Sequence, residues 1–374
     1  MGKVIKSVIF LQNRPHKAGA QTCLWRLLTQ PAIRELWHPV VVCSSHGWLV
    51  EACREQGISV IIEPFPSSRS LLARAYGNGA FARRVAARLH QLGMNPLMVQ
   101  GNDYAEGLLT RALARQLRVP SAIFLRSSGM QRNDYFKYQC HQCDWMAAIG
   151  TTLQQQVTGW DPGRAVHVFH DGVLPQEILP PQAVAGTVQR LLVIGSSAPQ
   201  KGWRDVITAL QRLQAQAWWH EQDWSIDFIG ASPDHDTDRH DLAQLNHCRI
   251  RFLGRVNEFA ALVRRYDLVI NPSRQETFGM AAVEVLACGV PLISSRSGII
   301  EQVIEDSRYL YQAGNAPALA EVLADILAHW PDHALDVALC QKNILNLFLI
   351  DHTVFFVTQH YRSLITQFSE TRGS

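Results

Sequence analysis

An α/β fold of two doubly wound parallel-sheet domains is predicted by three observations in the sequence. Short apolar runs alternate with helical periodicity from end to end, as strand–helix–strand units require. At 374 residues the chain is long enough for two cores. A proline-rich stretch of weak periodicity, 171–186, divides the alternation into two series. In the first, strands are expected at 4–11, 39–43, 58–62, 97–100, 121–125, 146–149 and 166–169, with helices between most of them. The second series places strands at 189–195, 226–230, 250–254, 268–271 and 291–294, a helix at 204–216, and helical material over 343–368.

With 47% hydrophobic and 18% charged residues the composition is that of a globular protein. The longest early apolar run, 8–11, is far short of a signal segment or of the roughly 20 residues of a bilayer span, so a cytoplasmic chain is expected. The 8 cysteines are scattered, and Cys43, Cys288 and Cys340 lie in apolar stretches, as reduced thiols packed as small hydrophobes do. Cys140 and Cys143 form a C-x-x-C with no second pair at ligand spacing, so a structural pair is expected there. The acidic, histidine-bearing run 234–240 reads as a solvated loop. Up to residue 180 there are 19 Lys+Arg against 11 Asp+Glu, a balance of +8. The remainder has 16 against 21, a balance of −5, which gives the net +3. A basic first part favours an anionic partner such as a phosphorylated glycolipid or a membrane surface. The stretch 74–90, with Arg83, Arg84 and Arg88 beside Phe81, Val85 and Leu89, has the pattern of an amphipathic helix able to touch headgroups and equally of a solvated helix face. Nothing calls for nucleic acid.

The chemistry concentrates at 271–294, where Glu276 and Glu284 stand with seven residues between them around a glycine-led helix start. There the first backbone N–H groups, from about Phe278 to Met280, lack intrahelical partners and carry the positive end of the helix dipole. Gly279 lets a ligand approach the backbone. Glu276 precedes that turn. Glu284, beside Val283, Val285 and Leu286, is expected half-buried and so in need of donors, which two ribose hydroxyls or a backbone group would supply. By residue types alone, a helix start complemented by Glu276 for capping reasons is an equal reading.

These residues resemble the signature of the retaining glycosyltransferases of family 4, which read a nucleotide sugar with a Glu, seven residues, Glu motif. The resemblance covers most of the chain and is sharpest over 201–301. It implies the GT-B fold: two Rossmann-like domains facing a central cleft, with residues 1–175 binding acceptor, 176–350 binding the nucleotide-sugar donor, and 351–374 forming a helix that crosses back. It places Glu276 on the donor sugar, the Phe278, Gly279 and Met280 backbone at the sugar and diphosphate, and Glu284 on the ribose.

The other stations follow the strands. Gly195 and Ser196, with Lys201 ahead of the helix at 204–216, form a strand, glycine turn and lysine of phosphate-binding type. The resemblance gives Lys201 the departing diphosphate, and puts Ser196 where the family often has arginine; Arg274 and Arg204 are the nearby substitutes. Arg255 and Val256 match the loop that meets the donor base. Lys17 and Gly19 match the double-glycine loop after the first strand, with Ala18 at the first glycine. Asn102, Asp103, Arg126, Ser127 and Ser128 follow later strands and are the acceptor-side candidates, at the carboxyl ends where open α/β sheets bind ligands. Ser127 and Ser128 stand where many members carry a histidine, and Asp171 where a hinge asparagine is usual. The expected activity is transfer of a hexose-type sugar, UDP-sugars favoured, to a hydroxyl of a glycan or glycolipid in lipopolysaccharide, O-antigen or capsule biosynthesis. No cofactor or metal is expected, since no Asp-x-Asp stands where it would bridge phosphates. A nucleotide-sugar-binding protein without transfer activity and a GT-B sugar-nucleotide epimerase are the alternatives.

Overall fold

Two parallel sheets organise the chain in a computed structural model that describes residues 5–66, 76–256 and 258–373. The first unit takes the chain up to Gly172 together with the segment from Ile350 onward, and the second is Val173–Leu349.

The first sheet contains β1 (Ile5–Gln12), β2 (His38–Cys43), β3 (Ser59–Ile62), β4 (Met94–Gly101), β5 (Ser121–Leu125), β6 (Trp145–Ile149) and β7 (His167–Phe169) in the order β3-β2-β1-β4-β5-β6-β7. Every pairing is parallel. Helices therefore cover both faces, and the central strands are apolar without alternation: all five residues of β5 and of β6 are buried. The helix Asn78–Gln91 places Phe81, Ala82, Val85 and Leu89 in the same core as Ile9, Val40 and Val99. Each such side chain contributes about 1.5–3 kcal/mol by leaving water. The helix Ile350–Gly373 closes this unit, packing Tyr361 on Trp37 and Trp145, and Thr353 Oγ1 donates to the His170 carbonyl at 2.8 Å.

The second sheet contains β8 (Arg190–Ile194), β9 (Trp224–Ile229), β10 (Cys248–Gly254), β11 (Leu268–Asn271), β12 (Leu292–Ser295) and β13 (Leu310–Tyr311), ordered β10-β9-β8-β11-β12-β13 and again wholly parallel. The strand order reverses between β1 and β4 in the first sheet and between β8 and β11 in the second. At each reversal the two neighbouring connections leave for opposite faces, opening a crevice at the carboxyl ends.

Three expectations are corrected, and one open alternative is decided. The helical run expected at 343–368 is two helices, Val337–Leu347 and Ile350–Gly373, because the Phe348 carbonyl is taken by the Val173 N–H at 2.9 Å and Leu349 bridges Val173. The run 234–240 is not a solvated loop: it enters the helix Asp236–Ala243, and Asp238 is buried against Arg204. Asp171 is not linker material, being 3% exposed and paired with Arg126. Of the two readings of 74–90, headgroup contact gives way to the solvated helix face: Phe81, Val85 and Leu89 are core residues of the first unit, and Arg84 and Arg88 reach the buried Glu63. Arg74 and Val4 lie outside the described residues. Among the described residues no helix is long and apolar enough to cross a membrane.

Candidate functional site

In the second unit the crevice beside β8 and β11 collects most of the residues expected on the donor side. After β8 the chain turns through Gly195 and the short Pro199–Lys201 helix to Gly202, which has φ 64°. A Cβ on Gly202 would stand 2.0 Å from the Pro272 carbonyl oxygen, so only glycine lets this turn lie against the exit of β11. The Arg274 and Gln275 N–H groups both donate to the Gln200 carbonyl, at 2.8 and 3.3 Å, and lock the two loops together. The result is a direct ion pair between residues far apart in sequence: Lys201 Nζ donates to Glu276 Oε1 at 2.5 Å, with the side chains 29% and 15% exposed. A partly desolvated pair of this kind is stronger than a surface one and can exchange partners with an incoming phosphate or hydroxyl.

Three residues after Glu276, Gly279 takes φ 98° as the residue before the helix Met280–Ala287. The helix therefore opens at Met280 rather than at Phe278, whose ring is buried against Phe348 and whose carbonyl accepts from the Ile299 N–H at 3.0 Å. Met280 and Ala281 are the first two residues of this helix, and their N–H groups have no intrahelical acceptor. Glu284 is half-buried one turn further on. Ser196 is exposed beside Gly195, and Arg255 and Val256 follow the end of edge strand β10, two strands from β8.

The two arginines suggested as substitutes for a missing charge are both occupied. Arg274 is bidentate to Asp205, at 2.8 and 2.5 Å, and Arg204 is bidentate to Asp238, at 2.5 and 2.8 Å. Lys201 is thus the cation that the fold brings to Glu276.

In the first unit, the crevice between β1 and β4 holds a buried polar network. The Asn102 amide donates to Gln12 Oε1 at 2.6 Å and to the Ala20 carbonyl at 3.2 Å, and its oxygen accepts from Arg126 Nε at 3.2 Å. Arg126 lies over the rings of Phe124 and Phe169, 5.2 and 5.0 Å from their centroids, and its guanidinium donates to Asp171. Asp103 accepts from the Arg126 and Tyr104 N–H groups, at 3.0 and 2.8 Å, and from the Ser127 hydroxyl. Asn102, Asp103, Arg126 and Ser127 are therefore brought together. Lys17, exposed over the Trp48 ring, Gly19, exposed at the start of the helix Gly19–Leu28, and half-buried Ser128 are not part of the network.

Two network members escaped the sequence reading. Asp171 stands at a hinge position by resemblance, and its partner is 45 residues away. Glu106 is 2% exposed and bridges the loops after β1 and β4, its two oxygens accepting from the Asn13 and Asp103 N–H groups at 3.0 Å each. Its signal was legible as an Asp103-x-x-Glu106 capping box. Burial, with the Asp103 charge beside it, pushes the Glu106 carboxyl up to about 8 against the pull of those two donors. Cys140 and Cys143 are buried free thiols, and burial raises both, Cys143 to about 12, which leaves them inert.

Two parallel sheets with ligand-type crevices at their switch points restrict the family, and comparison with known proteins identifies it. Residues 188–329 match the family model described as glycosyl transferases group 1. A glycogen synthase of Mycobacterium tuberculosis is 30% identical over 304 residues, 70% of this chain and 69% of that protein. The chain belongs to the group 1 glycosyl transferases. This glycosyl transferase is also 27% identical to the lipopolysaccharide core biosynthesis mannosyltransferase LpcC of Rhizobium leguminosarum, over 64% of the chain and 68% of that protein. Its fold is GT-B: the crystal structure of Anabaena Alr3699/HepE in complex with UDP and glucose superposes with a TM-score of 0.76 at 17% identity, covering 96% of this glycosyl transferase and 100% of that chain.

Proposed function

We propose that this glycosyl transferase moves a hexose-type sugar from a UDP-sugar to a hydroxyl of a glycan or glycolipid, retaining the α configuration, in the assembly of a bacterial surface glycan such as lipopolysaccharide core, O-antigen or capsule. The observation that carries the reading is the Lys201–Glu276 pair at the switch point of the second sheet, directly before the helix N-terminus at Met280. As the glycosidic bond breaks with oxocarbenium character, Lys201 and the Met280 and Ala281 amides hold the departing diphosphate, an electrostatic contribution of oxyanion-hole type. Glu276, released from Lys201 by the phosphate, orients the sugar hydroxyls. Gly279 admits the sugar to the backbone, Glu284 accepts from the ribose, and Gly195, Ser196, Arg255 and Val256 flank the nucleotide. These fixed positive groups take the part that a bridging cation plays elsewhere, so transfer proceeds without metal.

Asn102, Asp103, Arg126 and Ser127 hold the acceptor side of the first unit, with Lys17 and Gly19 at the loop after β1. The lipopolysaccharide role of the Rhizobium relative supports the pathway, and the +8 balance up to residue 180 supports an acceptor at an anionic membrane surface on the cytoplasmic side. With the apolar face of Asn78–Gln91 in the core, that attraction is electrostatic and must weaken with salt.

A thermal-shift panel of UDP-, GDP- and ADP-sugars tests the donor. A ligand at a hundred times its Kd should stabilise the fold by about 2.7 kcal/mol. The UDP-sugar is expected to give the largest shift, and Glu284→Ala to abolish most of it. An unchanged shift in that variant would remove the ribose assignment, and absence of UDP release with any hydroxyl acceptor would remove transfer itself.

A further inference from the structure

The last turn of the helix Ala316–Ala328 and the turns beyond it carry a side-chain cluster that the donor site does not use. Asp325, His329 and His333 stand at intervals of four residues, and one ligand atom from each lies within 4.8 Å of the others. Asp325 Oδ1 is 3.1 Å from His329 Nδ1, and its Oδ2 is 3.8 Å from His333 Nδ1. For bonds of about 2.05 Å in a tetrahedral shell, neighbouring ligand atoms stand roughly 3.3 Å apart. The Asp325–His329 separation is close to that value; the Asp325–His333 one, measured from the other carboxylate oxygen, is longer, so a bound metal draws the three ligand atoms together.

The cluster is fixed by its surroundings. The buried Tyr309 hydroxyl donates to the His333 carbonyl at 2.6 Å, and Trp330 Nε1 donates to the Ala185 carbonyl at 2.7 Å. His333 Nδ1 is screened from solvent and makes no hydrogen bond among the described residues, which leaves a polar atom waiting for a partner. His329 Nδ1 sits 2.8 Å from the Asp325 carbonyl, so its proton must move to Nε2 before that nitrogen can bind a cation. Asp306 brings a second negative charge close to His333, offset by its own bidentate contact with Arg308.

We propose that Asp325, His329 and His333 form a binding site for a divalent transition metal of the zinc class, with water completing the shell. Two imidazoles and one carboxylate are a borderline N/O set that suits zinc and disfavours the all-oxygen cations magnesium and calcium. The site is structural rather than catalytic. The strands of the second sheet are parallel, and the helix Ala316–Ala328 runs back from the end of β13. Its last turn therefore lies at the edge where the strands begin, as the contact with Ala185 ahead of β8 also requires. Lys201, Glu276 and Met280 lie at the opposite edge of the same sheet. A metal here ties the end of one helix to the turn after it.

The test uses the full chain, metal-depleted, titrated with Zn2+ by calorimetry and with Co2+ by visible absorption. One equivalent is expected to bind, with the ligand-field bands of a four-coordinate N/O site, and saturating Zn2+ is expected to raise the Tm. Loss of a partner to a metal ligand already costs about 10–100-fold in affinity, so His329→Ala and His333→Ala should each cost about a hundredfold or more. Neither should change UDP affinity, and each should lose the zinc-induced rise in Tm measured against its own metal-free state. His333→Gln serves as the second variant should alanine unsettle the turn. Absence of stoichiometric binding, equal affinity in the histidine variants, or intense sulfur-to-cobalt charge-transfer bands, which would move the metal to the cysteines, overturns the proposal.

Discussion

Replacing Gly202 by alanine tests whether the turn after β8 is what sets Lys201 against Glu276. The added Cβ would stand 2.0 Å from the Pro272 carbonyl oxygen, against the 3.0 Å below which real contacts essentially never fall, so the loops must part by about an ångström. Parting them endangers the Arg274 and Gln275 hydrogen bonds to the Gln200 carbonyl, each contributing about 0.5–1.5 kcal/mol. The left-handed φ of 64° adds about 1 kcal/mol for any residue with a Cβ. The expected loss is about 3 kcal/mol, a fall in Tm of roughly 6–12 °C for a unit of this size. Gly279→Ala is the internal control: its φ is 98°, yet the nearest atom to a Cβ is Glu276 Cγ at 3.9 Å, so it incurs backbone strain of about 1–2 kcal/mol without a clash. Differential scanning calorimetry of both variants, with UDP titrations alongside, makes the comparison. A Gly202→Ala shift no larger than that of Gly279→Ala would refute the reasoning.

Three further outcomes are expected. Lys201→Met should weaken UDP about ten- to hundredfold by removing a charge-assisted bond, while uridine affinity holds in parallel titrations; an equal loss for both would detach Lys201 from the diphosphate. Asp171→Asn should cost about 3–5 kcal/mol because it strips the opposing charge from a 6% exposed Arg126, and the double change Asp171→Leu with Arg126→Met should recover most of it in thermal unfolding. For Glu106 the folded pKa lies above the ordinary carboxyl value, so the native state binds more protons and stability falls as pH rises from about 4.5 to about 8. That slope should disappear in Glu106→Gln, at the cost of one backbone acceptor, and a slope that survives would acquit the residue.

The strands were legible because a parallel sheet covered on both faces demands continuous apolar runs, and the observed ends differ from the expected ones by no more than three residues. Strand β13 was missed because two residues leave no pattern. The break between Leu347 and Ile350 leaves no mark in the helical periodicity, although the resemblance starts a helix at 351; it exists because Val173, distant in sequence, uses the Phe348 carbonyl. Asp238 and Asp171 read as solvated or linker residues since their arginine partners come from other elements.

The residues of the proposed donor site show the same division. Sequence alone determined the types and spacing of Lys201, Glu276, Gly279 and Glu284, because a phosphate-type turn and a glycine-led helix start are local structures written in adjacent residues. Tertiary structure decided that Lys201 and Glu276 touch, that Arg274 and Arg204 are held by Asp205 and Asp238, and that Glu106 is buried with a raised carboxyl pKa. Pairing and desolvation depend on which elements the sheet order makes neighbours. That order is a property of the folded chain, and no window of the sequence contains it.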